Sequence, residues 1–149
     1  MSTGIWGPPI WALFHTLSQR IKEDKYPEIG PQLFGHISRI CRYLPCPDCS
    51  EHATKFLSKI NPTNLKTKND LITTFYILHN MVNKRKEKGL RSQAILEQYK
   101  TRNIIHTYNH FASVYKTKGN MKLLTDSFQR QIIIGDFKKW LIANLMHFA

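Results

Sequence analysis

Apolar residues recur along this chain at spacings of three and four, which predicts helices over nearly its whole length. Ile10, Leu13, Phe14, Leu17 and Ile21 form a first stripe. Gly7-Pro8-Pro9 reads as its start, because proline is tolerated in a helix's first turn. Tyr26-Pro27 and Gly30-Pro31 punctuate the pattern; Leu33, Phe34, Ile37, Ile40, Cys41 and Leu44 then form a second stripe that Pro45 ends. A third helix opens at Cys46-Pro47-Asp48-Cys49, carries Ala53, Phe56, Leu57 and Ile60, and is broken by Asn61-Pro62. Thr67 and Asp70 resemble a capping box with Asp in place of Glu, ahead of a fourth helix bearing Leu71, Phe75, Leu78 and Val82. Gly89 is its expected terminator.

Four amphipathic helices with short connections predict an all-α four-helix bundle. Ala94 to Tyr99 reads as a short fifth helix and Ile104 to Tyr115 as a sixth. Phe137, Trp140, Leu141, Asn144, Leu145 and Phe148 outline a C-terminal helix whose simplest role is packing, on the bundle or on another subunit. Only Gln131 to Gly135 is ambiguous between helix and strand.

Composition narrows the class. A chain of 149 residues, 42% hydrophobic and 21% charged, is an ordinary globular domain. No run approaches the roughly 18 apolar residues of a membrane span. Met1 to Gly7 shows no basic stretch followed by an apolar one, so no secretory leader is expected and a reducing, cytoplasmic setting is the simplest reading. The net charge of +12 is spread along the chain and suits polyanions, including a phosphate-bearing cofactor. Its densest cluster is Lys84-Arg85-Lys86 with Lys88, which reads first as a solvated helix end, with phosphate contact and general nucleic-acid binding as the alternatives.

There are three cysteines, Cys41, Cys46 and Cys49, so no framework of stapling bridges exists. Cys46 and Cys49 flank Pro47 at the first turn of a helix, where unpaired N–H groups favour a thiolate. That placement suits thiol–disulfide exchange and equally a zinc site. A zinc site would take Cys46, Cys49 and His52, with Cys41 or another histidine as fourth ligand. A zinc nucleobase deaminase would need His-x-Glu upstream, and His15 and His36 are followed by Thr-Leu and Ile-Ser. Trp11 and His15 share one face of the first helix, and His79, Asn80 and Asn83 cluster on the fourth. Concentrated near a Cys-x-x-Cys, these side chains suggest a planar polar ligand with Trp11 as a stacking surface.

Gly7-x-x-x-Trp11-x-x-x-His15, then Pro45-Cys46-x-x-Cys49, then His79-Asn80-x-Val82-Asn83 with Lys88, in this order, resembles the Erv/ALR family of flavin-linked sulfhydryl oxidases across residues 4–99. The resemblance implies a four-helix bundle plus a short fifth helix, a homodimer, and FAD held at the bundle mouth. It implies that Cys49 is the cysteine nearest the flavin and Cys46 the one exchanging with substrate. Gly7, Trp11, His15, His79, Asn80, Val82 and Asn83 would line the flavin, and Lys88 with Lys84 would face its phosphates or ribose. Electrons would pass from a dithiol protein, such as a thioredoxin-like or small Cys-x-x-Cys carrier, through the cysteine pair and FAD to molecular oxygen, giving hydrogen peroxide. No metal and no nucleic acid partner are expected.

The chain departs from the family in informative places. Ser58 and Tyr76 stand near positions where cellular members carry a structural disulfide, and no shuttle cysteine pair exists. Cys41, on an apolar stripe, reads as a buried inert thiol. A compact chain without a targeting signal resembles the versions of large cytoplasmic DNA viruses, which implies a place in the host cytoplasm or virion. Residues 1–99 would form the oxidase domain and 100–149 a helical extension, packed on the core or at an oligomer interface, carrying His106, Tyr108, His110, Phe111, Tyr115, Lys116 and Lys118. The alternative, from another functional class, is a basic helical binding module with a Cys/Cys/His zinc site.

Overall fold

A computed structural model describes residues 3–116 and 124–149, excepting the side chains of residues 3–5 and 124; Lys118 lies outside the described residues. Six α-helices account for most of it: α1 Thr3–Arg20, α2 Tyr26–Arg42, α3 Pro47–Ser58, α4 Lys68–Arg85, α5 Ile104–Tyr115 and α6 Leu124–Ala143. Among the described residues there is no strand, only an isolated antiparallel bridge between Ile21 and Phe148. The fold is the all-α one that the periodicity predicts.

Local chemistry explains most boundaries. At the start of α4, Thr67 Oγ1 accepts the Asp70 N–H at 3.1 Å and the Asp70 carboxylate accepts the Thr67 N–H at 3.0 Å, a complete capping box. The two N–H groups bound there would otherwise be orphaned. Asn103 caps α5 in the same way, its side chain accepting from the His106 N–H at 2.9 Å.

Four expectations are corrected. α1 begins at Thr3, so Pro8 and Pro9 stand inside it, in its second turn. α2 runs through Gly30-Pro31; the Tyr26 ring folds over Gly30, where a Cβ would meet ring carbon Cδ2 at 2.6 Å. With the ring so placed, the Tyr26 hydroxyl donates to the Leu65 carbonyl at 2.8 Å, tying α2 to the loop before α4. α4 ends before Gly89: Glu87 takes the left-handed conformation (φ 56°), while the Lys88 N–H reaches Asn83 O at 2.7 Å and the Glu87 N–H reaches Lys84 O at 3.2 Å. That is a Schellman end with glutamate where glycine is usual. The fifth helix is a 3-10 segment, Gln93–Tyr99, and Gln131 to Gly135 is α-helical within α6.

One buried cluster joins α1 to α4 with α5 and α6. Phe14, Leu17, Ile37 and Phe75 pack in the same core as Phe111, Tyr115, Phe137 and Leu141. α5 lies against α1 and α6 against α2. Tyr115 donates to Ile40 O at 2.9 Å, Trp140 to Gln32 Oε1 at 2.7 Å, and Arg39 pairs with Asp136 at 2.7 Å. The chain end is anchored by Ala149 N–H to Arg20 O at 2.6 Å. Among the described residues no helix is long and apolar enough to cross a membrane.

Candidate active site

α1, α3 and α4 converge with the 3-10 segment around a cavity of about 410 Å³. Gly7 and Trp11 line it from α1, Cys49 and Ala53 from α3, and His79, Val82 and Asn83 from α4. Lys86, Lys88 and Arg91 follow from the turn after α4, and Ile95, Gln98 and Tyr99 from the 3-10 segment; Arg102 and His110 add to the lining, as do Cys41 of α2 and Leu44 just after it. The wall is therefore apolar and aromatic on one part and cationic on another, a combination that fits a planar anionic ligand.

The aromatic part is a column of rings. Trp11 stacks on His79 with centroids 4.1 Å apart and planes at 11°; His15 lies 5.1 Å from His79, and Tyr99 lies 4.9 Å from His15. The helical spacing of Trp11 and His15 puts both on the face of α1 that meets α4. His15 Nε2 and His79 Nδ1 share a hydrogen bond of 2.9 Å. His15 is 1% exposed, and its Nδ1 has no hydrogen-bond partner. Burial, then the neighbouring His79, lowers the His15 pKa to about 3. Burial, then the charges of Arg91 and Lys88, lowers that of His79 to about 4. Both rings are neutral at physiological pH.

The cysteine pair opens α3. Cys46 is the N-cap residue, in extended backbone, and its sulfur accepts the Cys49 N–H at 3.2 Å. Pro47 at the first helical position has no N–H to leave unsatisfied, so the turn forms readily. Ser50 braces the approach: its hydroxyl accepts the Leu44 N–H at 2.6 Å. Cys49 lines the cavity and Cys46 does not. Burial, with the adjacent Cys46 sulfur, raises the Cys49 pKa to about 11, against a lowering pull from Lys86. The thiolate preference expected of a helix N-terminus is thus overridden at Cys49 by desolvation. Cys41 is fully buried, and desolvation raises its thiol to about 12.

The basic cluster divides at the end of α4. Lys86 and Lys88 line the cavity, and Arg85 pairs with Asp48 of the Cys-x-x-Cys at 3.0 Å. Lys84 stays exposed, outside the lining. Asn80 is also outside it; its side chain brackets the Arg91 backbone, accepting from N–H at 2.9 Å and donating to O at 3.0 Å. Tyr76 adds a hydroxyl to the same Arg91 carbonyl at 2.6 Å. His15 stands behind the lining as the inner partner of His79. Sequence reasoning did not name Arg91, Gln98, Tyr99, Arg102 or His110 as site residues. Arg91 lies close after the basic cluster and could have been suspected, whereas nothing in the local pattern brings His110 of α5 to this cavity.

Among the described residues no group of three or more His, Cys, Asp or Glu side chains is arranged to hold a metal. His52 instead lies 3.4 Å from the Asp48 carboxylate.

Known proteins resemble this chain. The model of the Erv1/Alr family matches residues 8–103. A FAD-linked sulfhydryl oxidase of African swine fever virus (isolate Tick/Malawi/Lil 20-1/1983) is 27% identical over 105 residues, covering 70% of this chain and 87% of the viral protein. The FAD-linked sulfhydryl oxidase ERV2 of Saccharomyces cerevisiae is 31% identical over 94 residues, 62% of this chain and 47% of the yeast protein. A putative FAD-linked sulfhydryl oxidase, 347L, of Invertebrate iridescent virus 6 is 27% identical over 97 residues, 61% of this chain and 87% of its own length. No solved structure matches.

Proposed function

From its membership of the Erv1/Alr family, to which this chain belongs, we propose how its cavity and cysteine pair work together. The protein is a FAD-dependent sulfhydryl oxidase. In our reading Cys46 exchanges with the substrate dithiol and Cys49 faces the cofactor. The observation that carries this polarity is the unequal placing of the two sulfurs, with Cys49 in the cavity wall and Cys46 outside it.

The residues present fit FAD. His15 Nδ1 is a buried polar atom without a partner, directly behind the stacked face of His79 and Trp11. Lys86, Lys88, Arg91 and Arg102 supply cations for a diphosphate. Trp11 and His79 would hold a ring system, Asn83 and Val82 its flank, and Gly7 leaves open space, since nothing lies within 4 Å of a Cβ placed there. When bound, FAD supplies a two-electron acceptor that passes electrons to oxygen as hydrogen peroxide.

The chain's own contribution begins with thiol–disulfide exchange. Both cysteines are free in this structure; in the oxidised, disulfide-linked pair a substrate thiolate attacks Cys46 Sγ, the Cys46–Cys49 bond breaks and Cys49 is released as the leaving thiolate. Lys86, which opposes the upward shift of the Cys49 pKa, stabilises that charge. The neutral His15–His79 pair keeps the ring column uncharged beside the cationic wall. The substrate in this reading is a dithiol protein, thioredoxin-like or a small Cys-x-x-Cys carrier. The viral relatives support a role in supplying disulfides to viral proteins in the host cytoplasm or virion. The exposed Phe128, Ile132 and Ile142 along α6 support the homodimer expected from the family resemblance. Sedimentation checks it: Ile132→Asp should shift a dimer to monomer, and a monomeric parent protein sinks it.

The oxidase reading is tested by colour and gas. The purified protein should be yellow, and should take up oxygen and release hydrogen peroxide when a dithiol is added. A colourless protein that consumes no oxygen refutes it.

A further inference from the structure

A protein joined to Cys46 by a disulfide has its own cysteine Cα within roughly 7 Å of the Cys46 Cα. The residues flanking the substrate cysteine must therefore lie against whatever surrounds Cys46. Next to it, a groove of about 440 Å³ begins at Pro47 and follows α3 past Glu51 and Thr54 to Lys55. Arg42 closes it from the end of α2, and Asp126 from the first turn of α6. The family match ends at residue 103, so one wall of this groove belongs to the C-terminal extension.

α6 is fixed at this place. Arg130, one turn beyond Asp126, is 1% exposed; its guanidinium lies 3.4 Å from the Tyr43 carbonyl and 3.4 Å from Ser127 Oγ. It also lies 6.0 Å from the Tyr115 ring, whose hydroxyl holds Ile40 O. Further along, Asp136 pairs with Arg39. The contacts to Tyr43, Ile40 and Arg39 end on the last turns of α2 or on the corner that leads into Cys46. A buried guanidinium is costly to place, and here it sits at the junction of the extension with the redox corner.

We propose that the C-terminal helix is part of the substrate-docking surface: the polypeptide flanking the reactive cysteine of a reduced protein substrate lies in the groove between α3 and the start of α6. The proposal rests on the oxidase reading. The chemical step is disulfide exchange. The substrate thiolate bonds to Cys46 Sγ as the Cys46–Cys49 bond breaks and Cys49 departs as thiolate. The substrate's second thiolate then attacks its own disulfide-bound sulfur and displaces Cys46. Two electrons pass from the substrate dithiol to the enzyme pair, and no other oxidant enters. Charged side chains of both signs line the groove, Arg42 and Lys55 with Glu51 and Asp126, so it fits an extended segment bearing charges of both signs. A small dithiol has no flanking chain and makes no use of it.

The test compares two probes, reduced thioredoxin and dithiothreitol, on the flavin-loaded full chain. The double variant Glu51→Arg/Asp126→Arg should change KM for thioredoxin fivefold or more, with kcat and dithiothreitol kinetics unchanged. An unaltered thioredoxin KM, or equal losses on both probes, overturns the groove. Failure of the parent protein to oxidise dithiothreitol sinks the oxidase reading instead. Should the double variant not fold, a Cys49→Ser background whose Cys46 is first converted to its mixed disulfide with thionitrobenzoate decides the matter: the thiolate of a thioredoxin keeping one active-site cysteine displaces thionitrobenzoate and stays bonded to Cys46. A photo-crosslinker introduced at Thr54 should capture it, and one introduced at the exposed Ile77 should not. Capture from Ile77 but not Thr54 overturns the proposal.

Discussion

His15 Nε2 and His79 Nδ1 meet at 2.9 Å across helices that are 64 residues apart in sequence. Neither ring has room for a charge. His15 titrates near pH 3 and His79 near pH 4 in the folded chain, against 6.5 for an ordinary histidine. Between those limits the unfolded chain binds protons that the folded chain refuses. Stability from the pair is complete above pH 6.5 and is lost as pH falls toward 4 and then 3. The melting temperature should hold level near neutrality and drop on acidification below 6.5, with flavin released alongside. His79→Gln should flatten that drop. A melting temperature constant from neutrality to pH 4.5 contradicts the argument.

The cysteines should separate by position. Cys49→Ser should abolish turnover and keep flavin absorbance, because the cavity walls remain. Cys46→Ser should also lose turnover with protein dithiols. Cys41→Ala should stay within about twofold of the parent rate, since a fully buried thiol pushed up to about 12 is not a nucleophile. In the reduced protein at pH 8, Cys49 should alkylate more slowly than an unperturbed thiol, because its pKa is raised to about 11. Mass spectrometry of alkylated peptides reads all three sites.

Glu87 offers a stabilising substitution. Its left-handed backbone costs an L-residue about 1 kcal/mol that glycine does not incur. Glu87→Gly should raise the melting temperature by roughly 2–4 °C for a chain of this size, part of the gain being offset by glycine's greater unfolded-state freedom. A clear fall in melting temperature would show that the Glu87 side chain matters more than its backbone.

Gly30→Ala should do the reverse. The added methyl meets the Tyr26 ring, and moving that ring breaks the bond from its hydroxyl to Leu65 O. A loss of about 1–3 kcal/mol is expected, read from urea unfolding. Tyr26→Phe isolates the hydrogen bond and should cost about 1 kcal/mol.

Much of the architecture was legible locally. The stripes from Ile10 to Val82 mark buried faces because a helix repeats every 3.6 residues wherever it packs. Thr67 and Asp70 announce α4 because a capping box needs only its own backbone. The prolines misled for the same reason. Pro8, Pro9 and Pro31 suggest boundaries locally, yet α1 and α2 continue through them, because burial of Trp6, Ile29 and Leu33 outweighs a few missing hydrogen bonds.

The sequence by itself determined the helical class, a cysteine pair at a helix start, and aromatic and amide groups set on helix faces; their redox role and the cofactor type were what the family resemblance of those motifs implied. Each of these is written in spacings of a few residues. Only the tertiary structure decided that Lys86 and Lys88 line the cavity while Arg85 holds Asp48, since that depends on α3 packing against α4. It also decided that burial overrides the helix terminus at Cys49, and that His110 and Asp126 of the extension reach the two sides of the site. Desolvation and long-range packing are sums over residues distant in sequence, and no local window contains them.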